Sequence, residues 1–335
     1  MRKLVFVTQR LDPDDPVLGA TVSMVRALAQ RVEEVVVLCD SAAVLPTGCR
    51  VRTFGAAGKG GRGLRFEAAL ARELRPRPGA VVAHMVPLYA LLAAPLVRPL
   101  GIPLLLWYTH WKEHAVLRAA ERVSTAVVSV DRRSFPFDSA KLRPIGHGID
   151  VSEFSCSDEG RDGPLRALAL GRYSPAKGLD EILRAVRLAA DGGLDVRLDV
   201  HGMTSAPLEV DHKGWLAARV AELRLGDRVE LGGAIPRSEL PGLFAASDVL
   251  INNMEAGAPD KVVYEAAASC VAVLASNPVF DDLLPPDLRF ERGRPETLAE
   301  RLLALDRRRR PELRTIVEEQ HSVEHWADGI LAAAA

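Results

Sequence analysis

Aromatic residues make up only 5% of this 335-residue chain, cysteine occurs four times, and 43 lysines and arginines against 44 aspartates and glutamates leave a formal net charge of -1. The charge balance removes the broad positive field of a dedicated nucleic-acid binder and leaves only local basic patches to meet an anionic partner. Cys39, Cys49, Cys156 and Cys270 are scattered, with no C-x-x-C pair and no histidine at zinc-ligand spacing, and they read as reduced thiols of a cytoplasmic protein. No apolar run reaches the roughly 20 residues that a bilayer requires. The longest, Met85 to Val97, holds two prolines and is followed by Arg98. The run Leu4 to Val7 soon meets Gln9 and Arg10, too short for a signal-peptide core, and reads as a first strand. A P-loop is also missing, because Thr53 stands where its first glycine belongs and Gly60 follows Lys59.

What is present is a hydrophobic share of 48% with 26% charged residues, enough to bury a large core, in a length suited to two domains. Short β-branched runs (Leu4 to Val7, Val35 to Leu38, Val51 to Phe54, Ala80 to Ala83, Leu104 to Tyr108, Ala126 to Val130) alternate with helical patterns. This is the βαβ rhythm of a covered parallel sheet. After the polar stretch Ser155 to Gly163 the rhythm restarts at Ala167 to Leu170 and continues to Val271 to Ala275. The expected fold is α/β, two Rossmann-like domains facing across a cleft: 1–154, 155–320, and a last helix over 321–335, bearing Trp326, that either finishes the second domain or crosses back to the first. Ligands of such sheets sit outside the carboxyl ends of the strands, so function is expected in the strand-to-helix loops.

Three motifs fail on inspection. Gly58 to Gly63 has the letters of a dinucleotide fingerprint, but it follows a later strand and no acid near residue 80 is placed to hold a ribose, so a basic surface loop is expected. Asp12-Pro13-Asp14 lies in a proline-bearing loop where acids solvate a turn rather than bind metal. Arg307 to Arg310, ending at Pro311, reads as a solvated helix terminus.

The stretch Gly171-Arg172-Tyr173-Ser174-Pro175-Ala176-Lys177-Gly178 survives. A strand ends in Gly-Arg, a turn follows, and a helix starts after Lys177-Gly178. A planar guanidinium and a flexible ammonium on one strand-to-helix loop suit the two phosphates of a diphosphate, and the helix entry adds backbone N–H donors. In the same order follow Ile145-Gly146-His147-Gly148-Ile149-Asp150 upstream, and Asp227 to Gly233, Ala246 to Val249 and Tyr264 to Val273 downstream. Together these resemble the family 4 glycosyltransferases, retaining enzymes of the GT-B fold that use nucleoside diphosphate sugars, over nearly the whole chain.

The resemblance implies transfer of a sugar from a nucleoside diphosphate sugar to a hydroxyl of a small-molecule, glycan or lipid-linked acceptor, without a metal or other cofactor. Arg172 and Lys177 are then the diphosphate ligands and Glu265 the carboxylate for the ribose hydroxyls. The family's first glutamate, eight positions earlier, falls on Gly257; Glu255 is the nearest substitute, and Pro259-Asp260-Lys261 adds Lys261 as a further cation near the diphosphate or sugar. In the first domain the resemblance points to Gly19 in the first glycine loop and to His110, after Leu104 to Thr109, at the donor sugar with His84 beside it. Alternatives of other classes are a non-catalytic nucleotide-sugar binder, suggested by Gly257, and a sugar-nucleotide epimerase of the same fold. The segment Lys59 to Arg77, with six basic and two acidic residues, adds peripheral contact with an anionic membrane.

Overall fold

The computed structural model describes residues 1–15, 17–56, 58–156, 162–204, 206–257 and 259–335. In chain order its elements are β1 (Lys3–Leu11), α1 (Thr21–Ala29), β2 (Glu34–Ala42), β3 (Cys49–Thr53), α2 (Lys59–Glu73), β4 (Ala80–His84), α3 (Pro87–Val97), β5 (Leu104–Trp107), α4 (Ala115–Val123), β6 (Ala126–Ser129) and β7 (Leu142–Pro144). They continue with β8 (Leu165–Leu170), α5 (Leu179–Asp191), β9 (Val196–His201), α6 (Pro207–Glu222), β10 (Val229–Leu231), α7 (Leu240–Ala246), β11 (Val249–Asn252), α8 (Lys261–Ala268), β12 (Ala272–Ala275), α9 (Pro295–Leu303), α10 (Pro311–Gln320) and α11 (Val323–Ala334). The chain forms two compact units, Met1–Asp150 with Glu319–Ala335, and Val151–Glu318.

The first unit holds a seven-stranded sheet in the order β3-β2-β1-β4-β5-β6-β7, and every pairing in it is parallel. Its central strands are apolar on both faces, as a sheet covered twice requires: Leu4, Val5, Phe6 and Val7 are all fully buried. Helix α11 closes this unit by burying Trp326 edge-on to Trp107 and Phe6, with ring centroids 5.9 and 6.2 Å away. The Gly146-His147-Gly148-Ile149-Asp150 motif is where the chain meets that returning end. Ile149 N–H donates to His321 O and Val323 N–H donates to Ile149 O, each at 2.8 Å. Gly146 has φ +75° and lies so close to the returning backbone that a Cβ there would stand 2.0 Å from Gln320 O, so no other residue fits.

The second unit holds a five-stranded parallel sheet in the order β10-β9-β8-β11-β12. Two expectations are corrected here. Cys156 and Cys270 are not free thiols: they are joined in a disulfide, with Cα atoms 5.2 Å apart. Beside it Arg314 Nη1 donates to Phe154 O at 2.8 Å and to Ala268 O at 2.5 Å, linking the two segments that carry the cysteines, a tertiary contact that residue spacing does not announce. Cys39 and Cys49 remain free, and burial pushes their thiols up to about 12 and about 11. The arginine run is no solvated helix terminus either. Arg307 pairs with Asp248 at 2.9 Å, Arg309 donates to Ser247 O and Ala245 O at 3.0 Å, and Arg310 is buried between α9 and α10. The polar stretch 155–163 lies largely outside the described residues. Among the described residues no helix is long and apolar enough to cross a membrane.

Candidate functional site

In the second sheet the chain order reverses between β8 and β11, so the loops leaving these two neighbouring strands start side by side. A crevice at such a switch point is where doubly wound sheets take ligands. The loop after β8 is shaped by its glycines. Gly171 has φ +133°, and Lys177 folds back over it, so that a Cβ would stand 2.6 Å from Lys177 Cε and 2.7 Å from its Nζ. Gly178 has φ +56° and ends the short turn Pro175–Lys177; a Cβ there would come within 2.3 Å of Asn253 Nδ2. That amide donates to Gly178 O at 3.1 Å and to Glu181 at 2.8 Å, tying the loop to the end of β11. Between the glycines, Tyr173 is fully buried and its hydroxyl donates to the carbonyls of Val200 and Gly232 at 3.0 and 2.9 Å. Burial raises its pKa to about 12.

Arg172 and Lys177 leave this one loop but meet different carboxylates. Lys177 Nζ pairs with Asp260, which also accepts from Asn252 Nδ2 at 2.9 Å. Arg172, with 62% of its side chain exposed, reaches Glu209 near the start of α6 at 3.3 Å. Glu209 also accepts from Ala206 N–H at 3.2 Å, which holds it at the helix entry. The acids in the first turn of α5 face elsewhere: Asp180 pairs with Arg184 and Arg219, and Glu181 accepts from Gly293 N–H. Arg292 braces the loop from behind, donating to Ala176 O and Asn253 O.

Glu265, on α8, is 2% exposed and pairs with Arg237 Nη1 at 2.5 Å, while Arg237 Nη2 meets Glu153 at 2.7 Å. Lys261, one turn earlier on α8, belongs to the same cluster. Loss of water around its ammonium lowers its pKa to about 8, against the pull of Glu265. Glu255 is exposed, and its backbone N–H donates to Ala176 O at 2.9 Å, joining that segment to the lysine loop. Gly257 takes φ +146°, where side-chain-bearing residues are rarely found, so the position at which the resembled family has its first glutamate is here a backbone position.

The residues singled out in the first unit are set at the carboxyl ends of its strands. Gly19 is buried and its N–H donates to Asp15 O at 2.9 Å in the loop before α1. His110 follows β5 and is exposed; its N–H donates to Ser134 O at 3.1 Å, its Nδ1 accepts from Lys112 N–H at 2.9 Å, and its ring stacks on Trp111 at 5.7 Å. His84 is buried at the end of β4, with Nδ1 3.1 Å from Thr8 Oγ1 and its ring against Phe6. Asp12 does what a turn acid does, accepting from Asp14 N–H at 3.0 Å. The basic loop expected at Gly58 to Gly63 is instead the start of a helix: Gly58 precedes the first turn of α2, and Gly60, Gly61 and Gly63 lie inside it. Among the described residues no three His, Cys, Asp or Glu side chains gather as a metal-binding group.

Sequence reasoning missed Asp260, Glu209, Arg237 and Glu153. Asp260 sits inside a motif already singled out and Arg237 lies four residues after the motif Asp227 to Gly233; Glu209 and Glu153 reach the site only through folding.

The whole chain is similar in fold to solved glycosyltransferase structures. The Anabaena protein HepE, in complex with UDP and glucose, matches with a TM-score of 0.77 at 16% identity, covering 99% of both chains. Sucrose-phosphate synthase from Thermosynechococcus elongatus matches at 0.78 and 16% over 100% of both, and a glycosyltransferase from Rickettsia africae at 0.79 and 13% over 99% of this chain and 97% of that one. No curated protein matches the chain significantly. Residues 154–281 match the family model for glycosyl transferases group 1, which spans β8 to β12 and every residue of the site in the second unit except Glu153 and Arg292. The second unit is thus built on a glycosyl transferases group 1 domain, in a chain of GT-B fold whose enzyme class is glycosyl transfer.

Proposed function

We propose that the protein moves a sugar from a nucleoside diphosphate sugar to an acceptor hydroxyl with retention of anomeric configuration, as a member of family 4. The observation that carries this reading is the pair of cations on the loop after β8, each held by a carboxylate, beside the Lys261 and Glu265 cluster on α8. Glu209 and Asp260 occupy the partners' places that phosphate oxygens would take. HepE was solved with UDP and glucose, which makes a uridine donor the first to try.

In this reading the leaving diphosphate gains charge as the anomeric carbon gains oxocarbenium character. Arg172 as a two-pronged donor and Lys177 as a point charge stabilise that charge, with Lys261 adding a third cation, so the step requires no metal. Glu265 accepts from the two ribose hydroxyls once Arg237 shifts toward Glu153, since an ionised carboxylate offers only acceptors. Retention follows when the acceptor enters on the face the diphosphate leaves and hands its proton to a leaving phosphate oxygen. His110 is assigned to the donor sugar, and Gly19 to close backbone approach. The acceptor is a hydroxyl of a small molecule, a glycan or a lipid-linked saccharide.

Donor hydrolysis and transfer by Arg172→Ala and Lys177→Ala, beside thermal stabilisation by UDP and GDP, test the reading. Stabilisation by a nucleoside diphosphate with neither transfer nor slow donor hydrolysis in the unaltered protein would leave the non-catalytic binder, the reading that Gly257 favours.

A further inference from the structure

Helix α3 carries no charged residue and is apolar all round, the composition of a buried helix, yet Leu88 and Pro95 on it are exposed. Tyr89, Ala90, Ala93, Ala94 and Val97 enter the core. Leu88, Leu91, Leu92, Pro95 and Leu96, at i, i+3, i+4, i+7 and i+8, lie on the other side: Leu91, Leu92 and Leu96 are partly buried against the same core, while Leu88, 49% exposed, and Pro95 open outward. The turn Arg98–Leu100 adds Leu100, 46% exposed.

Helix α2 runs beside α3: a Cβ on Gly63 would stand 3.7 Å from Leu92 Cδ1, and Phe66 packs on Tyr89 with centroids 5.2 Å apart. Next to that contact Leu64 is 71% exposed, and the outer face of α2 continues through Arg65, Ala68 and Arg72, with Arg75 exposed just beyond the helix end. Arg77 reaches the far end of α3, donating to Gly101 O at 2.7 Å. From residue 59 to residue 100 there are seven lysines and arginines and two acids, and one of those acids, Glu73, is buried in ion pairs with Lys3, Arg50 and Arg52. Exposed leucines (Leu64, Leu88, Leu100) on a basic segment suit a bilayer surface, where leucines would enter the acyl boundary and arginines would meet anionic headgroups.

We propose that the α2–α3 face docks the protein on an anionic lipid surface. Charge decides for lipid against a second copy, because two such faces meeting about a twofold axis would set Arg65 and Arg72 of one against those of the other. Docking is independent of the donor chemistry.

The test is co-sedimentation of the full chain with phosphatidylcholine vesicles, with and without phosphatidylglycerol, at low and high salt. Binding is expected only with phosphatidylglycerol and should weaken with salt. Leu64→Ser with Leu88→Ser, and separately Arg65→Glu with Arg72→Glu, should each lower it by roughly tenfold or more with thermal midpoint and UDP stabilisation unchanged. Absence of binding, equal binding to uncharged vesicles, or unaltered binding by the serine pair would overturn the proposal. So would a dimer by light scattering that the serine pair dissociates, which would assign the face to a second copy.

Discussion

Lys177 and Asp260 form an ion pair across the switch point of the second sheet, the ammonium from the loop after β8 and the carboxylate from the residue before α8. Gly171 makes room for the lysine stem beneath it, and Asn252 holds the carboxylate from the other side. A diphosphate competes with that carboxylate for the same ammonium. Asp260→Asn removes the competing charge and should tighten UDP binding by roughly tenfold, about 1.4 kcal/mol, in calorimetry. Weakening by the same factor would instead make Asp260 the group that aims Lys177.

The two cations should differ in kind. Lys177 is largely enclosed, so Lys177→Ala also strands a half-buried carboxylate; it should lower kcat/KM for transfer by about 10²- to 10³-fold. Arg172 is mostly exposed and acts through its fork, so Arg172→Lys should recover little of what Arg172→Ala loses. Full recovery by the lysine would reduce its role to charge alone.

Glu265 and Arg237 test ribose binding separately from stability. Arg237→Ala leaves the buried Glu265 without its close partner and should cost about 3 to 5 kcal/mol in urea unfolding. Glu265→Gln keeps the volume and removes the charge, so it should cost less and mainly weaken UDP. Unchanged UDP affinity in Glu265→Gln would end the ribose assignment.

The fold was legible because it is written in periodicity. Leu4 to Val7 and Ala167 to Leu170 are apolar on both sheet faces, and the glycines of 146–148 and 171–178 stand where a Cβ would meet close neighbours, the backbone of Gln320 at Gly146 and side chains at Gly148, Gly171 and Gly178. The cations of the site were legible for a similar reason, since Arg172 and Lys177 lie within six residues of each other on one loop. Their carboxylates were not: Glu209 and Asp260 come from 37 and 83 residues along the chain, and their approach is a product of the sheet order. Cys156 and Cys270 were misread for that reason too, their separation of 114 residues being closed by the fold, with Arg314 bonded to both segments. The basic segment after Lys59 was visible, while the exposure of Leu64, Leu88 and Leu100 was not, because only packing shows which leucines are left uncovered.

Lys261 gives the site a pH dependence of defined sign. Desolvation lowers its pKa to about 8 in the free protein, against a pull from Glu265 in the opposite direction. A bound diphosphate stabilises the charged ammonium, so the pKa in the complex is higher than in the free protein. Below about pH 8 the lysine is charged in both states and affinity is flat. Above it the free protein must take up a proton to bind, and UDP affinity falls with rising pH, by about tenfold per unit at most, until the pKa of the complex is passed. Calorimetry above the titration of the nucleotide's own terminal phosphate, about pH 6, isolates the lysine. Lys261→Arg, charged throughout, should flatten the fall, and an unchanged slope in that variant would place the titrating group elsewhere.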